Sequence, residues 1–366
     1  MNRFLIPAGN ANDRFYTGTV LAVLFGLLSA SGCETLPKPT TVAYRESDTE
    51  RAMQVLKSSV HFSDNAVVRA AAVEALEAAG PEALPWIRTA LSDDHPGVRF
   101  AACLAVGSLR DEGTEDAIRR MVTDPDTSVQ VAALYALHRL GDEQRTGRIP
   151  TYLLENVDLT VRRNAALVLG RLGEPAAVKI LARAMRDRDP GVRNHVLEAM
   201  ARLGNKEARQ ELILMTNSGA GTDEAFAVSA LAELGDLALM ETFRFKFRGA
   251  AHAETRLAAA RGLGRLGSDE GYSASISSLK SARPEGPDDL RDPPAERLLR
   301  VRMLAAAALG AIGRLESLST LDGFLGENVD PRLKVAAARA VVEITQGTIR
   351  QAHTAGVAGV QGRRSE

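Results

Sequence analysis

Apolar residues recur along most of this chain with a helical period. Val161, Ala165, Leu169 and Leu172 fall on one stripe of a helix, and Val192, Val196, Met200 and Leu203 fall on another. Between two such stripes lies a second amphipathic segment, EPAAVKILARAMRD (174–187), with Val178, Leu181 and Met185 on one face. The pattern therefore predicts two short helices per unit, joined by tight turns and packed as a pair.

The unit repeats. DTSVQVAALYALHRLG (126–141), DLTVRRNAALVLGRLG (158–173) and DPGVRNHVLEAMARLG (189–204) share one frame, and further copies run from residue 65 to residue 345. The residue equivalent to the first valine stands at 68, 98, 129, 161, 192, 223, 255, 301 and 333. All spacings but one are 30 to 32 residues. The exception contains SARPEGPDDLRDPPAER (281–297), whose prolines and acidic residues predict an inserted loop. The copy around 223 is the weakest.

Each position in the frame has a physical reason. Asp126, Asp158, Asp189 and Asp330 precede the marker by three residues, where a carboxylate can accept from the unpaired amides of a new helix. Pro190 and Pro331 suit the first helical position, which needs no N–H. Gly141, Gly173, Gly204, Gly235, Gly267 and Gly313 end the helices where a left-handed residue is required. Ala102, Ala133, Ala165, Ala227, Ala259 and Ala305 let helices approach closely. In FRFKFR (243–248) the frame predicts that Phe243 and Phe247 fill the core and that Phe245 is exposed.

This frame, D-x-x-V-R-x-x-A-A-x-A-L-G-x-L-G as it stands at 158–173, resembles the HEAT-like repeats of the bilin-lyase type, over about residues 49–346. The resemblance implies an all-α, HEAT-like α-solenoid of about nine helical-pair repeats. Stacked in a line, nine layers would extend roughly 80 Å. The resemblance also implies a ladder in which the Arg beside the marker meets aspartates of neighbouring repeats. Arg69, Arg99, Arg162, Arg193, Arg256 and Arg302 hold that place, with Lys334 as a near equivalent, whereas Gln130 and Glu224 interrupt it.

The amino end reads differently. Thr19 to Ala30 is uncharged and apolar over 12 residues, too short to span a bilayer as a helix. It suits the apolar region of an export signal. Ala30, Ser31 and Gly32 lead into Cys33, and the segment resembles a bacterial lipoprotein signal. The resemblance implies cleavage after residue 32 and diacylglycerol on the Cys33 thiol. Ala30 stands where that signal prefers Leu, and the leader is long. Residues 33–48 then form a polar tether with Pro37 and Pro39, Ser47 to Glu50 start the first helix as a capping box, and residues 347–366 form a flexible tail.

Composition narrows the chemistry. A formal net charge of −1 leaves no general basic surface for nucleic acid. Two cysteines cannot make a disulfide framework, and Cys103, within FAACLAVGSL, reads as a buried free thiol. The six histidines have no metal-ligand spacing, and no nucleophile elbow or P-loop is present. GLGRLG (262–267) only imitates a glycine-rich loop, since its glycines fall at helix-packing and cap positions. No catalytic residue, metal or cofactor is expected.

A binding surface is the better prospect. Positions two, three, six and ten after the marker point away from the core stripe, and the family resemblance places that face on the concave side. Phe100, Leu104, Tyr135, Arg139, Arg163, Leu167, Arg171, His195, Arg202 and Phe226 stand there in the middle repeats. Aromatic and arginine side chains are what interface hot spots favour. The outer repeats place Ala71, Ala78, Ala258, Ala311 and Ala336 on the same rows. The expectation is that Tyr135→Ala with Arg171→Glu abolishes capture of a partner without lowering stability.

The sequence thus reads as a non-catalytic, monomeric scaffold that binds a protein or peptide partner of the cell envelope. It would be lipid-anchored through Cys33 to a membrane, the outer membrane being favoured, and face the periplasm. The alternatives are a ligand-modifying enzyme of the bilin-lyase type, or a helical-repeat nucleic-acid binder if the chain is not exported.

Overall fold

The structure, a computed structural model, describes residues 41–283 and 293–362, with side chains over 46–283 and 293–347. The leader, Cys33, the first half of the tether and most of the inserted loop lie outside the described residues.

The described residues hold eighteen α-helices and no strand. In order they are α1 (Thr41–Phe62), α2 (Ala66–Ala79), α3 (Leu84–Thr89), α4 (Pro96–Leu109), α5 (Glu115–Met121) and α6 (Thr127–Arg139). Then come α7 (Ile149–Glu155), α8 (Leu159–Leu172), α9 (Val178–Ala184), α10 (Pro190–Arg202), α11 (Lys206–Met215) and α12 (Gly221–Ala232). The last are α13 (Met240–Gly249), α14 (Ala253–Arg265), α15 (Tyr272–Lys280), α16 (Pro294–Ile312), α17 (Leu318–Asp322) and α18 (Pro331–Gly362). Even-numbered helices carry the repeat frame and form an inner row. Odd-numbered helices, several entered through a 3-10 turn, back them on the outside.

Local chemistry follows the frame. The Asp126 carboxylate accepts from Ser128 N and Val129 N at 2.8 and 3.1 Å, Asp158 from Thr160 N at 2.7 Å, Asp189 from Val192 N at 2.8 Å and Asp330 from Arg332 N at 2.9 Å. The six expected glycines all adopt positive φ. Arg110 takes the same left-handed conformation at φ 52° without being glycine, and it is exposed. Since that region costs an L-residue about 1–2 kcal/mol, Arg110→Gly is expected to stabilise the protein by about 1 kcal/mol after its larger unfolded-state entropy is allowed for. A higher urea midpoint checks this.

Other expectations meet the structure in part. Phe243 is buried and Phe245 is exposed, and Phe247 is half-buried. Gly262 lies under the Phe243 ring, and a Cβ on Gly264 would stand 2.7 Å from the backbone nitrogen of Ile312, so these glycines serve helix packing. Cys103 is a buried free thiol, pushed up by desolvation. The first helix begins at Thr41, so Ser47 to Glu50 sit inside it and form no capping box. At the other end α16 starts at Pro294, before the expected loop end, and α18 continues to Gly362 where a flexible tail was expected.

The larger correction concerns shape. The array does not extend in a line: α18 packs against both α2 and α1, and α1 touches α17. Arg51 Nη1 donates to both carboxylate oxygens of Asp322, at 2.6 and 2.8 Å, across this junction. Nine inner helices therefore close into a ring, which needs a rotation of roughly 40° per repeat accumulating with one sign. Successive inner helices pack closely except α10 and α12, whose backbones stay apart. There α11 packs on both, and His195 meets Phe226 edge-on with ring centroids 5.7 Å apart. In this weak repeat, half-buried Asp223 stands where the other eight repeats bury the marker residue.

Candidate functional site

Closing the ring turns the inner rows toward one another. The sixth and tenth positions after each marker bring Glu74, Glu198, Glu233 and Glu343 into a lumen with Arg139, Arg171, Arg202, Arg261, Arg265 and Arg339. Charges from separate helices sense each other there: Arg265 of α14 feels Arg202 of α10 and Glu343 of α18, and Arg339 of α18 feels Glu74 of α2 and Glu233 of α12.

These charges are organised locally. Glu233, with a side chain 4% exposed, faces Arg261 at 2.7 Å and Arg265 at 3.4 Å. Burial pulls the Arg265 guanidinium down, and Glu233 works against it. Arg339 donates to Glu343 at 2.9 Å, which outweighs the burial opposing its charge. Burial pushes the Glu198 carboxyl up, but the neighbouring His195 and the Arg202 charge outweigh this and hold it below the usual range. Arg202 Nη2 lies 3.1 Å from one Glu198 oxygen, and His195 Nδ1 lies 3.4 Å from the other.

None of the ten residues expected to form a binding strip is exposed. Tyr135 and Leu104 are in the core, at 0% and 4% exposure, and leave the strip altogether. Phe100, Arg139, Arg163, Leu167, Arg171, His195, Arg202 and Phe226 are half-buried. Arg163 Nη2 is bound to Asp189 at 2.8 Å. The structure brings His195, Arg202 and Phe226 together around Glu198 and α12. Tyr135 is buried because Gly107 on α4 leaves it a notch: a Cβ there would lie 3.0 Å from the Tyr135 ring and 2.7 Å from Ala136 Cα. The expectation that Tyr135→Ala spares stability is therefore withdrawn.

The open space lies elsewhere. A cavity of about 510 Å³ is walled by α2, α14, α16 and α18, where the two ends of the chain meet. Leu299, Met303, Leu304 and Val335 give it an aliphatic side, and Arg261, Arg300, Arg332 and Arg339 alternate with Glu74, Glu296 and Glu343 around it. Arg332 donates to both Glu296 oxygens, at 2.9 and 3.1 Å. Ala71, Ala307 and Ala336 line it too, and their size is what leaves the space. The signal was legible as alanines on the inner rows, but a search for large side chains passes over it. In a closed ring large residues fill the lumen and small ones open it.

The arginine ladder runs along one rim. Arg69 meets Asp93, Arg99 meets Asp124 and Arg162 meets Asp187, at 2.8, 2.9 and 2.6 Å, each through two nitrogens. Each also donates to two carbonyls at the preceding turn. Gln130 interrupts the ion pairs as expected, yet its amide still donates to Asp124 O at 2.7 Å. Arg302 donates to Ser281 O at 3.1 and 2.7 Å instead of to an aspartate.

Comparison with known proteins bears on the repeat itself. The family model for HEAT repeats matches residues 53–138 and 151–232. Over those residues the chain carries HEAT repeats. In the structure the HEAT arrangement continues past the matched residues to α18. No curated protein matches the chain. Among solved structures, the complex of CpcE and CpcF of phycocyanin lyase from Nostoc sp. PCC7120 is similar at 18% identity and a TM-score of 0.40, covering 68% of this chain and 96% of that one. Human deoxyhypusine hydroxylase in complex with glycerol is similar at 17% identity and a TM-score of 0.36, covering 84% and 100%. Among the described residues no helix is long and apolar enough to cross a membrane, and no group of three or more His, Cys, Asp or Glu residues could hold a metal ion.

Proposed function

We propose that this protein is a non-catalytic binding scaffold of the bacterial cell envelope, held to a membrane by lipid on Cys33. Its ring of HEAT repeats captures a protein or peptide segment at the cavity between α2, α14, α16 and α18. The observation that carries this reading is the chemistry of that cavity. An aliphatic side lies against alternating arginines and glutamates, which suits a segment with an apolar side chain flanked by charged ones. The lipid anchor rests on the sequence LSASGC and serves to keep the ring near its partner.

Two measurements test the reading. The amino-terminal peptide from native membranes is expected to carry an acylated Cys33, and Cys33→Ser to release the protein from the membrane. An unmodified amino terminus upstream of Cys33 would remove the anchor. A photo-crosslinking residue at Met303 is expected to capture an envelope protein in cells; capture at the exposed Phe245 position but not at 303 would move the binding surface to the outside of the ring. The cavity volume also suits a small ligand, so the competing reading is a ligand-modifying enzyme. A bound chromophore or small molecule in the purified protein, by absorbance and native mass spectrometry, would favour it.

A further inference from the structure

One rung of the arginine ladder lacks its acid. At five successive turns one side chain accepts from the backbone N–H two residues on, which fixes their equivalence. Asp93 accepts from His95 N and Asp124 from Asp126 N, both at 2.8 Å, and Asn156 from Asp158 N and Asp187 from Asp189 N, both at 2.9 Å. Ser218 accepts from Ala220 N at 3.3 Å. Arg69, Arg99 and Arg162 each clasp the aspartate of the following turn through Nε and Nη2. Where Gln130 stands in place of the arginine, the following turn carries neutral Asn156. Arg193 breaks this matching, because its following turn carries Ser218.

Arg193 is nevertheless held like the others. Its Nη1 donates to Asp187 O and Arg188 O, at 2.8 and 3.1 Å, as Arg69 Nη1 does to Ser63 O and Asp64 O. The shared anchoring directs Nε and Nη2 toward the Ser218 turn. Neither nitrogen has an acceptor among the described residues, and both reach solvent. Glu224, at the ladder position of α12, turns back to accept from Gly219 N at 3.1 Å. The start of α12 is short of an acceptor as well, since Ala220 at its cap offers no side-chain oxygen where Asp126, Asp158 and Asp189 do. Around this rung Arg186 and Arg188 are exposed, while Asp187 and Asp189 are engaged by Arg162 and Arg163.

Two N–H groups on a planar, fixed fork match the two oxygens of a carboxylate, and such charge-assisted pairs are among the stronger hydrogen bonds. Holding the fork in place beforehand removes part of the ordering cost of binding. We propose that Arg193 is an open rung, whose Nε and Nη2 bind an aspartate or glutamate side chain of another polypeptide in the place that Asp187 takes for Arg162. The positive surroundings given by Arg186 and Arg188 favour an acidic segment over a single acidic residue. The site lies on the rim between α10 and α12, apart from the cavity at the ring closure, and stands whether or not that cavity binds a protein segment.

The probe is fluorescein-labelled hexaglutamate with an amidated carboxyl end, read by fluorescence anisotropy with the full chain at low ionic strength. Ser218→Asp supplies the missing acid from within. It is expected to raise the thermal midpoint by about 1–3 °C and to weaken hexaglutamate binding at least about tenfold. Asn217→Asp adds the same charge one residue away, outside the turn position, and is expected to keep most of the binding. Arg193→Lys keeps the charge but loses the fork, and should weaken binding as Ser218→Asp does; if it folds poorly, Ser218→Asp still decides, since it leaves Arg193 in place. Hexaserine with a free carboxyl end is expected not to bind. Absence of hexaglutamate binding, equal affinity in Ser218→Asp, or an equal loss in Asn217→Asp would overturn the proposal. Binding of hexaserine in place of hexaglutamate would overturn the side-chain assignment in favour of a chain terminus.

Discussion

Tyr135→Ala is expected to cost about 3–5 kcal/mol, the range for removing a large buried aromatic side chain. The ring is fully buried between α4 and α6, set in the notch that Gly107 leaves, and its hydroxyl lies 3.4 Å from Ser108 Oγ. Truncation would leave a cavity walled partly by helix backbone, which cannot collapse without pulling α4 and α6 together. Tyr135→Phe keeps the ring and should cost only about 0.5–1.5 kcal/mol. Urea unfolding of both variants decides the matter. If Tyr135→Ala unfolds at the same midpoint as the parent, the ring is not in the core and an exposed strip regains its place.

Glu233→Ala is expected to destabilise the protein by about 3–5 kcal/mol, because breaking a buried ion pair from one side strands its partner. The partner is a pair: Arg261 at 2.7 Å and Arg265 at 3.4 Å, the latter with a side chain 5% exposed. Replacing Glu233 and Arg265 together by Met should recover part of the loss, since it removes one of the two arginine charges that Glu233 faces and the cost lies in the uncompensated charge and not in a net gain from the pair. A double-mutant cycle by chemical denaturation reads this directly. Additive losses in the double variant would mean that the lumen tolerates an isolated arginine, and the account of the lumen as a mutually neutralised cluster would fail.

Much of the candidate site was hidden for one reason. The rows that carry it stand on the inner helices, but whether such a row is a groove or a core depends on curvature. Leu104 and Tyr135 stand on the expected strip because they are large, yet both are core residues, Tyr135 filling the notch that Gly107 leaves between α4 and α6. Ala71, Ala307 and Ala336 line the cavity because they are small, and ring closure gives them that role.

The sequence by itself determined the repeat, the caps and the helix ends. Those depend on contacts within about thirty residues: Asp158 with Thr160 N, Gly173 ending α8, Arg162 reaching Asp187 in the next unit. It also placed Phe243 in the core and Phe245 outside, because helical spacing alone separates them. Only the tertiary structure decided that α18 returns to α1 and α2, that Arg51 meets Asp322, and that α10 and α12 stand apart. A small rotation at each repeat leaves no mark on the local pattern, yet summed over nine repeats it sets whether the two ends of the chain ever touch.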